Sequence, residues 1–205
     1  MHRLSDQPTT TRAVEWVFSL LIICSVAIVW IALFQLNSLF FASIGVSQYI
    51  SWIFLPAAIR MLSVMLFEWV GAIGLFIGAV VTSDPLLNDN LTNSILLAGL
   101  SALGPVVAVT LCTKWLRIPA NLEGLSPRQL SFFALLGAVC NVIPHNLYFY
   151  FSDRMQNPLD GILPMFIGDL LGTIIILYFS ALVLRFCFPG RTKNKIISPD
   201  RITPD

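Results

Sequence analysis

Residues 36–83 read LNSLFFASIGVSQYISWIFLPAAIRMLSVMLFEWVGAIGLFIGAVVTS, and Arg60 and Glu68 are the only charged side chains in the run. A bilayer core about 30 Å thick takes roughly 20 apolar residues of helix to cross. The stretch is too long for one crossing and long enough for two, so how it divides sets the number of spans. One span is expected at residues 49–67 and a short one at 69–81, joined by a tight turn at Glu68 on the cytoplasmic side. Residues 38–47 then lie at the outer surface or dip partway into it.

The flanking sequence is plainer. Residues 16–34 carry no charge, exceed the apolar core of a signal peptide and are followed by no small-x-small cleavage site, so they form a retained span. Residues 91–115, 130–151 and 162–186 supply three more. The expected fold is an all-α polytopic bundle of six transmembrane helices. Composition agrees: of 205 residues, 57% are apolar and 11% charged, where a soluble domain has about 25% charged. The mean hydropathy is +0.82. Such a chain is neither a soluble domain nor a disordered one. It also lacks the basic face that nucleic-acid binding needs. The membrane domain is expected over residues 14–187, between a disordered N-terminus at 1–13 and a polar cytoplasmic tail at 188–205.

Basic loops stay in the cytoplasm. With six spans and both ends inside, the cytoplasmic side holds Arg3, Arg12, Lys114, Arg117, Arg128, Arg185, Arg191, Lys193, Lys195 and Arg201. Outside, Arg154 stands among Asp84, Asp89, Asp153 and Asp160. An odd number of spans ahead of Lys114 would put basic clusters on both faces.

Ionisable groups inside a bilayer are costly and are expected to face a partner or a cavity. Arg60 lies about 16 Å into the second span and Asp169 about 10 Å into the sixth, both counted from the outer face. An extended arginine closes that difference, so the two are expected to pair. Pro56, one turn before Arg60, frees a backbone carbonyl and breaks the helix there. On the fifth span Asn141, His145 and Tyr148 follow at i, i+4 and i+7 and share a face, with Pro144 loosening the helix beside them. That face fits an interhelical hydrogen-bond network or a ligand site. Gly74 and Gly78, like Gly168 and Gly172, form a Gly-x-x-x-Gly that lets helices approach closely. Glu68 and Glu15 are expected to be solvated near the interface.

Cys24, Cys112, Cys140 and Cys187 sit in or beside apolar runs without a Cys-x-x-Cys spacing and read as small apolar fillers. Two histidines in the chain make a histidine metal site improbable. No nucleophile motif, phosphate-cradling loop or carboxylate pair is present, so neither enzyme activity nor a cofactor or metal is expected.

Trp52-Ile53-Phe54-Leu55-Pro56-Ala57-Ala58, then Phe67-Glu68-Trp69-Val70-Gly71, Gly78 and Gly168-Asp169-Leu170-Leu171-Gly172, together resemble the bacterial membrane-associated sensor family of the first type. That family couples a polytopic membrane domain, usually of about eight spans, to diguanylate cyclase or kinase domains. The resemblance covers residues 51–186 and implies a sensory membrane module of the inner membrane. The chain ends shortly after its last span, so signalling through a separate membrane or cytoplasmic partner protein is expected.

A second resemblance, in size, span count and end placement, is to the substrate-binding S components of energy-coupling-factor transporters, which take up vitamins and small metabolites. The first span lacks their Ala-x-x-x-Ala docking pair, Ala27 and Ala32 being five apart. A third reading is an accessory or assembly subunit of a membrane complex. The expectation carried forward is a non-enzymatic sensor-like module. Its polar pocket, for a small-molecule ligand, is built from the second, fifth and sixth spans and opens to the outside.

Overall fold

Long apolar runs with every backbone group satisfied internally can cross lipid only as helices or closed barrels, and this chain takes the helical solution. A computed structural model describes residues 9–47, 50–83, 90–115, 127–157 and 159–187. Five helices account for most of them: α1 (Thr9–Phe41), α2 (Ala57–Thr82), α3 (Leu91–Trp115), α4 (Pro127–Phe151) and α5 (Leu159–Cys187). By length and composition alone, all five hold a stretch apolar enough to cross a membrane. A 3₁₀ turn (Ala42–Ile44) and an antiparallel ribbon of β1 (Gly45–Ser47) and β2 (Ile50–Ser51) link α1 to α2.

α3, α4 and α5 match the expected spans to within three residues at each end, and α1 is longer at both. It begins at Thr9, inside the segment expected to be disordered. Residues 1–8, the tail from 188 and the loop charges Asp84, Asp89 and Arg117 lie outside the described residues.

The expected start of the second span is corrected in the decisive stretch. Helix does not begin at residue 49 but at Ala57, with Pro56 as its N-cap. Proline suits a helix start because its missing N–H has no partner there to lose. It therefore opens a helix here instead of breaking one. One continuous assignment, residues 57–82, then covers both expected pieces, interrupted at Glu68 by a non-helical φ of 51° and ψ of −130°. The interruption is a reversal. In a straight helix residues 63 and 71 would stand about 12 Å apart, yet a Cβ built on Gly71 would fall on the Ser63 carbonyl. Residues 57–67 and 69–82 thus lie against each other as two short helices, about 16 and 21 Å long. Glu68 is exposed at the tip between exposed Phe67 and Trp69.

The second arm of this hairpin packs on α1. Cβ atoms built on Gly74 and Gly78 would meet Val26 and Trp30 of α1, the close helix approach expected of that glycine pair. Trp30 Nε1 donates to Thr82 Oγ1 at 2.9 Å. Val26, Trp30, Leu75, Ala79, Ala98 and Ala102 belong to the core shared by α1, α2 and α3. A second core joins Met61 and Met65 to Ala108, Cys112 and Phe133, between the first arm, α3 and α4.

Residues 52–56 are apolar yet not helical. Irregular backbone is tolerated at membrane depth only where the protein supplies its hydrogen bonds, and α1 and α5 supply them. Phe54 N–H donates to the Gly168 carbonyl at 3.0 Å, and Leu55 N–H donates to Asn37 Oδ1 at 2.9 Å. Gly168 and Gly172 make room for this segment: Cβ atoms there would fall on the carbonyls of Ser51 and Phe54. The second Gly-x-x-x-Gly therefore receives a non-helical stretch of chain, not another helix.

Candidate functional site

Arg60 stands in the first turn of α2, because helix starts only at Ala57, while Asp169 lies three turns into α5. The non-helical segment beside Gly168 brings that first turn level with the carboxylate. Arg60 Nη2 donates to Asp169 Oδ1 at 2.6 Å, and each residue is 4% exposed. Asn141 Nδ2 donates to the other oxygen, Oδ2, at 2.8 Å. One carboxylate thus joins α2, α4 and α5.

The guanidinium is also flanked by rings, with its carbon 5.1 Å from the Phe54 centroid and 6.0 Å from that of Trp30. A cation against aromatic faces gains where water is excluded. The Asp169 backbone carbonyl accepts from Thr173 Oγ1 at 2.7 Å. Thus Phe54, Trp30 and Thr173 complete the surroundings of the ion pair.

His145 and Tyr148 share the helix face of Asn141 as their spacing requires, but they turn to α3. His145 Nδ1 donates to the Asn141 carbonyl at 2.8 Å, leaving Nε2 facing Ser101 Oγ at 3.2 Å. Tyr148 Oη donates to Asn93 Oδ1 at 2.8 Å. The five expected site residues therefore divide. Arg60, Asp169 and Asn141 form one cluster, while His145 and Tyr148 join α4 to α3.

Sequence reasoning missed Asn37, Ser101 and Asn93. Asn37 was detectable as part of the polar group Gln35, Asn37 and Ser38 that follows the apolar run of α1. Ser101 and Asn93 are on one flank of α3, eight residues apart, near the spacing of two helical turns.

A cavity of about 40 Å³ adjoins the cluster, with Arg60, Asp169, Asn141 and Thr173 as polar lining and Met61, Phe133 and Leu177 among its apolar walls. That is room for roughly three water molecules. It lies among α2, α4 and α5, where a pocket was expected. Residues 51–54 cover Gly168 and Gly172 on the ribbon side. From the ion pair the cavity runs toward Phe133, near the start of α4, and Leu177, in the second half of α5.

Among the described residues, no three His, Cys, Asp or Glu side chains gather as a metal site. Asn141 Oδ1 is buried without a hydrogen-bond partner.

The MASE1 family model matches residues 18–195 of the chain. No curated protein and no solved structure matches it.

Proposed function

As the chain belongs to the MASE1 family of integral membrane sensor domains, we propose that its sensing element is the Arg60–Asp169–Asn141 cluster and that the α2 hairpin is the part it moves. The observation that carries this reading is the position of the ion pair. It ties the first turn of a short, doubled-back helix to α5 and α4. A buried pair contributes little net stability but is costly to break on one side. Whatever competes for either partner therefore acts strongly on the arm that carries Arg60. The tip at Glu68 is about 12 Å along that arm.

On this reading the hairpin counts as two short crossings, six in all, with both ends in the cytoplasm of a bacterial inner membrane. Ten of the chain's twelve basic residues on that side support the orientation. The module has no catalytic role, and it passes its state to a partner protein, in keeping with the cyclase and kinase outputs that the family resemblance implies. The size of the cavity speaks against the transport reading. Pockets for drug-sized ligands have volumes of about 300–1,000 Å³, and this one is far smaller.

Fluorine NMR on the full chain labelled with 5-fluorotryptophan tests the coupling. Trp30 reports on the cluster and Trp69 on the tip, with Trp115 as a remote reference. Asp169→Asn is expected to shift both Trp30 and Trp69. A shift confined to Trp30 would separate the cluster from the hairpin and end this reading.

A further inference from the structure

Resting on that reading, we propose that the cavity beside Asn141 binds a small uncharged hydroxyl compound, with water as its minimal occupant. The charges in the site already answer each other: Asp169 Oδ1 is taken by Arg60 and Oδ2 by Asn141. A charged guest would find no free counter-charge among them and would carry the cost of an unpaired buried ion. What the cluster leaves over is neutral. Asn141 Oδ1, on a residue 3% exposed, has no donor. The orientation of that amide is fixed because its nitrogen must face the carboxylate. On the other side, the Arg60 guanidinium is bonded to Asp169 through Nη2, and a guanidinium has five N–H groups to offer.

The guest must therefore donate to an amide oxygen and be able to accept from a guanidinium. A hydroxyl does both with one atom, whereas an ether cannot donate and an ammonium cannot accept. Space sets the upper limit. About 40 Å³ beside Thr173 and the apolar Met61, Phe133 and Leu177 admits a few waters or a short alcohol, not a sugar or a vitamin.

The test uses the full chain, ¹⁵N-labelled, in nanodiscs of phosphatidylcholine and phosphatidylglycerol. Magnetisation transfer to the Asn141 side-chain amide is followed from water protons and, separately, from the methyl protons of added ethanol. Transfer from water is expected in the unmodified chain. It should be lost in Ala134→Leu, which fills the cavity from its α4 wall while the Trp30 fluorine signal stays in place. Transfer from ethanol as well identifies an alcohol site; transfer from water alone identifies a hydration site. Absence of both in the unmodified chain, or persistence of the water signal in Ala134→Leu, overturns the proposal. A dry cavity in a chain whose Trp69 signal still responds to Asp169→Asn would remove the guest and leave the sensing element standing.

Discussion

Arg60 Nη2 and Asp169 Oδ1 meet at 2.6 Å across 109 residues of chain, both side chains almost wholly withdrawn from solvent. The contact depends on residues 52–56 declining to be helix. Had helix begun at residue 49, Arg60 would lie in its fourth turn rather than its first. The non-helical segment instead sets the helix start against α5, and the two glycines of α5 give it the room to do so.

Gly172→Ala is therefore expected to destabilise the fold by about 1–3 kcal/mol, the usual range for overpacking, because its new methyl meets the Phe54 carbonyl. Gly99→Ala provides the control. A Cβ there meets nothing within 4 Å, so the substitution should be neutral or stabilising by up to about 1 kcal/mol through helix propensity. Reversible unfolding in mixed micelles measures both.

Glu68 holds a positive φ that a non-glycine residue adopts only at a cost of roughly 1–3 kcal/mol. Glu68→Gly should relieve part of that strain and raise the unfolding midpoint. Glu68→Val, branched at Cβ, should lower it. The same unfolding assay gives the order of the three chains, and a Glu68→Gly chain less stable than the parent would refute the strain.

Tyr148→Phe removes one hydrogen bond between α3 and α4, made to Asn93. The expected loss is about 0.6 kcal/mol, and at most about 1.7, the measured range for such bonds in membranes. Because Tyr148 and Arg60 serve different clusters, combining Tyr148→Phe with Arg60→Ala should give additive losses. Coupling above about 0.5 kcal/mol would mean that the two polar sets act as one.

Much of this architecture was legible in the sequence, for identifiable reasons. α3, α4 and α5 are long, mostly apolar runs, and lipid leaves such runs one solution. The Arg60–Asp169 contact was legible because a charge at membrane depth requires an answer and few were on offer. The reversal at Glu68 was legible because a lone charge between two short apolar runs marks where they part.

The non-helical segment was not. Trp52 to Leu55 are as apolar as any span, and hydropathy does not register whether backbone groups find partners within one helix or across two. The target of Gly168 and Gly172 was hidden for the same reason, since a helix and an irregular stretch place the same demand on a glycine. Asn141, His145 and Tyr148 were correctly placed on one face. Spacing along a helix does not say which neighbour each side chain meets, and here they meet different ones.

The most direct measurement of the central claim is a double-mutant cycle on Arg60 and Asp169, read by reversible unfolding of the full chain in micelles. Arg60→Ala and Asp169→Ala should each cost about 3–5 kcal/mol, the loss expected when one partner of a buried pair is stranded. The double variant should cost clearly less than their sum, with a coupling of at least about 1 kcal/mol. Losses that add to within about 0.5 kcal/mol would mean that the two groups do not hold one another, and the cluster at the heart of the bundle would not exist.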